Sequence, residues 1–217
     1  MRRLTEVTLL WLFPILSLLY CHHHWTQHPA ALPAGWRWFL LLLPALMMYL
    51  VVGTGAGYAK LWQFNVPYAV AGVHPLIGFM YSGVVNLLLV LWPLLENHHY
   101  GLFGGLLAAS CGLAGTLYDV PLVHYRLLWM SGRQKLEVVG LLRKVLSYGP
   151  LFFSLVGGMS AAAVLLNYPA GLPTPAALGL RLVGTAVLGA LPFQLFLVWA
   201  HRRRQAVRTR QHGQPAQ

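Results

Sequence analysis

Apolar residues fall into six long runs along the chain, and short polar connections separate them. An α-helix rises 1.5 Å per residue, so about 20 apolar residues cross the ~30 Å hydrocarbon layer of a membrane. The pattern therefore predicts an all-α fold, a polytopic membrane bundle of about six transmembrane helices. The predicted spans are residues 4–20, 38–57, 70–95, 102–123, 148–167 and 177–199.

The connections between these runs are too short for a second, soluble domain. Residues 1–200 are predicted to form a single transmembrane domain, and residues 201–217 a basic cytoplasmic tail that is disordered beyond its first turn. Residues 126–145 mix apolar and basic positions, which fits either an amphipathic helix on the inner leaflet or a solvated loop. The first run resembles a signal sequence, but no small-x-small cleavage site follows it directly, so we expect a retained helix.

Basic residues are concentrated on one side of the predicted bundle. Of the 15 lysines and arginines, only Arg37 and Arg181 fall on the other side. Because cytoplasmic segments carry an excess of Lys and Arg, this asymmetry predicts that both ends of the chain are cytoplasmic. We expect the membrane to be a bacterial inner (plasma) membrane. The predicted cytoplasmic residues are Arg2, Arg3, Lys60, Arg126, Arg133, Lys135, Arg143, Lys144, Arg202, Arg203, Arg204, Arg208 and Arg210.

The composition makes the lipid bilayer the principal partner. The chain is 58% hydrophobic and 9% charged, with a mean hydropathy of +0.61, whereas soluble domains carry about 25% charged residues. The net charge of +11 does not indicate nucleic-acid binding, because the basic residues cluster in loops and the tail. Cys21 and Cys111 are predicted at different membrane depths, too far apart for a disulfide.

Small residues recur at four-residue spacing in the fourth predicted span. Such rows let helix backbones approach closely, which is how membrane helices associate without a hydrophobic drive. A similar face in the fifth span makes it the expected partner. The fourth span has two such rows: the first is Gly101, Gly105 and Ala109, and the second is Gly104, Ala108 and Gly112. The face in the fifth span consists of Gly157, Gly158, Ala161 and Ala162.

Six of the ten histidines fall on the predicted outer face, in two separate loops. They are accompanied there by the one outer acid, Glu96. Imidazole and carboxylate groups together suit zinc, copper or iron, so the set predicts a transition-metal or haem site. The alternative is that these side chains anchor the interface. The candidate ligands are His22, His23, His24, His28, Glu96, His98 and His99.

A second polar set lies toward the predicted inner face. Asp119 lies late in the fourth span, His124 follows it, and His74 opens the third span. Ionisable groups at membrane depth are costly and are candidate catalytic or relay residues. Asp119 could pair with Arg126, His74 or Lys60, either as a relay or as a structural salt bridge.

His74, Ser82 and Asn86 share one face of the third predicted helix, at spacings of eight and four residues. This stripe would link the inner and outer polar sets. Interhelical hydrogen bonding is the alternative.

Two hypotheses about function and a third, structural one follow. The first is a metal- or haem-dependent membrane redox protein, or a subunit of one, that accepts a hydrophobic molecule such as a quinone or lipid. The second is a small proton-coupled transporter or channel lined by the third helix and Asp119. The third is an accessory subunit that packs against other membrane subunits. The sequence has no Walker A loop, Cys-x-x-Cys or Gly-x-Ser-x-Gly motif.

Overall fold

Helices occupy most of the chain, as the apolar pattern predicts. The computed structural model describes residues 1–27, 34–52, 62–76, 78, 82–130, 138–168 and 175–212. In these ranges the helices are α1 (Arg2–Gln27, with a π-helical stretch at Glu6–Leu12), α2 (Ala34–Val52), α3 (Ser82–Glu96), α4 (Tyr100–His124), α5 (Val138–Asn167) and α6 (Pro175–His212). Two strands complete the fold, β1 (Trp62–Phe64) and β2 (Leu128–Met130).

Four of these helices are long and apolar enough to cross a membrane. Their apolar spans are Arg2–Gln27, Tyr100–His124, Gly149–Asn167 and Ala176–Phe196. In α2 and α3 the apolar stretches are shorter, at Trp36–Val51 and Gly83–Glu96. Lipid contact by these apolar surfaces is consistent with the exposed leucines along α1, α4 and α6.

Side-chain contacts between α1 and α3 show that these two helices run parallel. Phe13 lies against Gly83. Further along both helices, the Asn86 amide donates to Ser17 Oγ at 2.7 Å, and Cys21 Sγ donates to Asn86 Oδ1 at 2.6 Å.

Helices α1, α2 and α3 alternate in direction, and α6 runs parallel to α2. Trp36 near the start of α2 contacts Trp92 near the end of α3, with ring centroids 5.7 Å apart, so α2 and α3 are antiparallel. Met47 lies against Gly189, and the Gln194 amide donates to the Leu50 carbonyl at 3.4 Å. These contacts make α6 parallel to α2.

The closest helix pair is α4 and α5, which pack antiparallel through small residues. Thr116 lies against Gly149 near one end of the pair, and Gly104 lies near Ala161 toward the other. A Cβ added at Gly157 would lie 2.8 Å from the Leu107 carbonyl oxygen, so only glycine fits. The predicted association of these helices is confirmed for the Gly104, Ala108 and Gly112 row, whereas Gly101 and Gly105 have nothing within 4 Å of an added Cβ.

The alternating directions define two ends of the bundle. One end, here called the basic end, carries Arg2, Arg3, Asn65 and Arg126. There the Arg2 guanidinium donates to the Asn65 carbonyl, and the Asn65 side-chain amide donates to the Arg126 carbonyl. The opposite end, here called the histidine end, carries His22, His23, His98 and His99. The first residue of α1 and the last of α6 both lie toward the basic end.

A small two-stranded sheet at the basic end accompanies the helices. β1 and β2 pair antiparallel, with Gln63 opposite Trp129, and the Asn65 N–H donates to the Leu127 carbonyl at 2.8 Å. The pairing joins the connection after α2 to the connection after α4. Strands of three residues are too short to produce an alternating pattern that periodicity could detect.

Several helix boundaries also differ from the predicted spans. Residues 62–76 form β1 and a series of turns, so His74 does not open a helix, and described helix resumes with Gly78 and then α3. Pro67 and Pro75 lack an N–H, and Ala71 and Gly72 have positive φ values of 51° and 78°, which are incompatible with a helix.

At the other boundaries the helices are longer than predicted. α1 continues to Gln27, so His22, His23 and His24 lie on a helix instead of a loop. α5 includes residues 138–147, which fits the helical alternative for the segment before the fifth span. α6 extends to His212, because residues 193–212 contain neither Pro nor Gly and are rich in Arg, Gln and Ala.

We expect Gly157→Ala to lower the thermal stability of the purified protein, because the added methyl group would press on the Leu107 carbonyl and on Cys111. Overpacking of this kind costs about 1 to 3 kcal/mol. Thermal unfolding in detergent measures the effect. The matched control is Gly105→Ala, where the methyl group meets open space and helix propensity alone favours alanine. Equal unfolding midpoints for the two variants would contradict the close α4–α5 approach.

Candidate functional site

The π-helical stretch of α1 places Glu6 and Trp11 on one side of the helix. In an α-helix, residues five apart point about 140° away from each other. A π-helix closes i→i+5 hydrogen bonds, and the Phe13 N–H accordingly donates to the Thr8 carbonyl. Residues five apart are thus stacked one above the other. Glu6 and Trp11 can therefore reach the same partner.

That partner is the Tyr68 hydroxyl, from the turn after β1. It donates to Glu6 Oε1 at 2.7 Å and accepts from Trp11 Nε1 at 3.0 Å. Burial and the bond to Glu6 raise the pKa of Tyr68 to about 12. The hydroxyl is therefore neutral at physiological pH and holds the carboxylate in place with a charge-assisted hydrogen bond.

His74 lies behind Tyr68, fully buried in a cage of aromatic rings. Trp11, Phe64 and Tyr68 meet the imidazole edge-on, with centroid distances of 5.5, 5.7 and 5.2 Å. Nδ1 accepts a hydrogen bond from the Leu76 N–H at 3.1 Å. In the neutral ring the proton is therefore on Nε2, and this buried nitrogen has no hydrogen-bond partner among the residues that the structure describes.

Burial lowers the pKa of His74 to about 4, and the Glu6 carboxylate opposes this shift. The imidazole is therefore neutral at pH 7. An unpaired buried N–H costs about 1 to 3 kcal/mol, which makes the arrangement expensive for a purely structural residue. We call Glu6, Trp11, Tyr68 and His74 the Glu6 cluster.

The Glu6 cluster opens onto a surface depression at the basic end. This basic depression has a volume of about 520 Å³ and is lined by Arg2, Arg3, Glu6, Val7 and Pro67. Glu6 belongs to both features, so its carboxylate connects water in the depression with the interior.

The predicted inner candidates on α4 lie near this region. The Tyr118 hydroxyl donates to the Leu9 carbonyl at 2.7 Å, which binds α4 to the π-helical stretch of α1. The next residue, Asp119, is buried at 8% exposure. His124 is exposed at the last position of α4, where its ring contacts Tyr125 at 4.7 Å. The relay role of Asp119 and the catalytic role of His124 stay predictions.

The predicted polar stripe on the third helix does not form, because His74 precedes α3 in a turn. Asn86 is bonded to Ser17 and Cys21 of α1, as expected for interhelical hydrogen bonding. Among the predicted partners of Asp119, Arg126 is exposed beyond the end of α4, and Lys60 lies outside the described residues.

At the histidine end, most of the described candidate ligands are exposed. His22 and His23 are exposed on α1, and His24 stacks on Tyr20 with ring centroids 6.5 Å apart. Exposed Glu96, His98 and His99 lie at the turn between α3 and α4, and His98 Nδ1 is 2.7 Å from the Tyr100 hydroxyl. His28 lies outside the described residues.

The parallel packing of α1 and α3 offsets these two groups along the bundle. Asn86 is level with Ser17 and Cys21, and Glu96 lies ten residues further along α3, about 15 Å at 1.5 Å per residue. His24 lies three residues beyond Cys21 and seven beyond Ser17, or roughly 5 to 10 Å above the same level. No three His, Cys, Asp or Glu side chains in the described parts of the chain gather closely enough to hold a metal ion.

Sequence reasoning did not identify Glu6, Trp11 or Tyr68 as site residues. An acid in an apolar run was the available signal for Glu6. No family model, curated protein or solved structure matches the chain, so the site is interpreted from its geometry alone.

We expect the protein to lose stability as the pH falls from about 6.5 to about 4, and His74→Asn to remove much of this dependence. Between these values the unfolded chain binds a proton that folded His74 excludes, so unfolding is favoured as the pH falls. At about 1.4 kcal/mol per pKa unit, the contribution is at most roughly 3 kcal/mol. Asn can still accept from the Leu76 N–H. Parallel stability curves for both proteins over this range would contradict a buried neutral imidazole.

The predicted metal site is tested by the metal content of the purified protein. A transition-metal or haem protein should contain about one metal ion per chain after purification, and the His98→Ala, His99→Ala double variant should lose it. Elemental analysis and visible absorbance measure the content. A colourless wild-type protein without metal, unchanged by the double substitution, would reject the metal- or haem-dependent redox hypothesis.

Proposed function

We propose that the chain is a small proton-coupled membrane transporter in which Glu6, Tyr68 and His74 bind and pass the proton. The observation that carries this proposal is His74, fully buried with an unpartnered Nε2 among the described residues. It lies against Tyr68, whose hydroxyl is bonded to a carboxylate at an open depression. Buried ionisable groups that connect water with a bundle interior are typical of proton relays.

The proposal includes a topology in which all six helices cross the membrane and both ends of the chain are cytoplasmic. Alternating helix directions support six crossings, and the position of Arg2, Arg3 and Arg126 at the basic end supports the orientation. The shorter apolar stretches of α2 and α3 would be accommodated by local thinning of the bilayer. The basic depression then faces the cytoplasm of a bacterial cell.

Each member of the Glu6 cluster has a distinct chemical role in this proposal. Glu6 exchanges protons with water in the depression. The Tyr68 hydroxyl is both a donor and an acceptor, so it can pass a proton, whereas the Trp11 indole is a donor only and fixes the hydroxyl oxygen. In the neutral ring His74 carries its proton on Nε2 and Nδ1 accepts from the Leu76 N–H, so a second proton enters at Nδ1 only when that bond is broken, after which Nε2 can release its own.

Protonation of Glu6 would also weaken a contact between two segments of the backbone. The Glu6–Tyr68 bond is charge-assisted only while the carboxylate is ionised, and it joins α1 to the connection that leads into α3. A weaker bond would release that connection from the π-helical stretch. Coupling a proton to a shift between two packed elements is what alternating access requires.

This proposal is favoured over the redox hypothesis by the positions of the ligands. A catalytic metal takes three or more protein ligands, and the described residues offer no such group.

We expect a step to acidic pH to produce a transient charge displacement in proteoliposomes on a solid-supported membrane, and Glu6→Gln to abolish it. The signal arises because Glu6 takes up a proton from the depression before any substrate moves. Glu96→Gln is the matched control, since Glu96 is an exposed carboxylate at the opposite end. Wild-type protein without a signal above empty liposomes, or a signal that survives Glu6→Gln, would contradict the proposal.

A further inference from the structure

Two guanidinium groups and one carboxylate line the basic depression. We propose that this depression binds a small oxyanion, a carboxylate or phosphate-type solute, and that protonation of Glu6 is the event that permits binding. The inference rests on the proposed function and names its substrate class: a small anion carried together with a proton.

The arginines are placed for binding and not only for orientation in the membrane. The Arg2 guanidinium is fixed by its bond to the Asn65 carbonyl at 3.1 Å, which uses one of its five N–H donors. Arg3 lies next to it in the same wall. The planar fork of a guanidinium matches the two oxygens of a carboxylate or phosphate.

Glu6 controls the charge of this wall. It lies three residues after Arg3 and four after Arg2, so its side chain neighbours both arginines on α1. While ionised, it lowers the positive potential of the wall and repels an incoming anion. When protonated, it removes one negative charge, and the depression then presents two uncompensated positive charges to the anion.

Tyr68 and His74 do not supply this switch. Around Glu6, the α1 helix adds the Met1 amino group, Arg2 and Arg3, the turn after β1 adds Tyr68, the segment before α3 adds His74, and α4 adds Tyr118, bonded to Leu9, and Asp119. With a pKa of about 12 for Tyr68 and about 4 for His74, neither changes charge between about pH 5 and pH 7.5. Among the described residues that line the depression Glu6 is the carboxylate, so the Glu6→Gln variant decides whether it carries the proton linkage.

The test uses full-length protein in neutral detergent, titrated calorimetrically with sulfate and with methanesulfonate. Both probes stay fully ionised at about pH 5 and about pH 7.5, so any pH dependence belongs to the protein. We expect at least one probe to bind about tenfold more tightly at the lower pH. Glu6→Gln should bind with the tighter affinity at both values.

Arginine variants identify the site. The Arg2→Gln, Arg3→Gln double variant should lose at least about tenfold in affinity. Arg126→Gln, which removes an exposed arginine at the same end, should bind normally. The thermal unfolding midpoint without anion shows whether the double variant folds. If the double variant does not fold, anion binding is measured with Arg3→Gln alone, which keeps the Arg2–Asn65 bond.

Three outcomes would overturn the inference: no saturable binding of either probe at about pH 5, binding that survives the loss of both arginines, or pH dependence that persists in Glu6→Gln. A lipid phosphate is the other source of this chemistry. Nanodiscs of phosphatidylglycerol and of phosphatidylcholine distinguish it, since abolition of probe binding only in phosphatidylglycerol would assign the depression to a lipid headgroup.

The failure of this inference is separable from failure of the proposed function. If the charge displacement on a pH step depends on Glu6 but neither anion binds, the proton site stands and the substrate class is wrong. If an anion binds with the expected pH dependence but no displacement occurs, the depression is an anion site and the transporter proposal is wrong.

Discussion

The geometry of the basic end depends on one hydroxyl group. Tyr68 joins α1 to the connection between β1 and α3, because its oxygen donates to Glu6 and accepts from Trp11. Both bonds require the π-helical stretch, since a regular α-helix would turn Glu6 and Trp11 away from each other. One arrangement thus combines three features: the π-helical stretch in α1, the orientation of the Glu6 carboxylate, and the closure of the ring cage around His74.

The rest of the bundle supplies a rigid frame for that arrangement. Small residues let α4 and α5 approach until backbone meets side chain at Gly157, and Asn86 ties α3 to α1 near the middle of the bundle. Tyr118 fixes the position of α4 relative to the π-helical stretch of α1, because its hydroxyl donates to the Leu9 carbonyl. The π-helical stretch that carries Glu6 is therefore bonded both to α4 and to the turn after β1.

Sequence periodicity predicted the helices well because it reports on lipid-facing apolar runs, but it could not predict the candidate site. An apolar run continues through residues 70–76 in the sequence, and the turn geometry at Ala71 and Gly72 shows that His74 lies outside α3. Tyr68 is 62 residues from Glu6, so their hydrogen bond leaves no local signal. The histidine end was conspicuous for the opposite reason: each of its two groups is contiguous in sequence, while the axial offset of α1 and α3 separates one group from the other.

Energetic cost, more than the number of histidines, distinguishes the two ends. Exposed His22, His23, His98 and His99 keep their hydration, so folding tolerates them without any functional reason. His74 has lost its water, one of its nitrogens has no protein partner among the described residues, and its pKa is displaced to about 4. A phenylalanine would fill the same aromatic cage without the unpaired nitrogen, but it would leave the Leu76 N–H without its acceptor. What an imidazole adds there is a titratable ring packed against Tyr68, whose hydroxyl is bonded to the carboxylate that faces the basic depression.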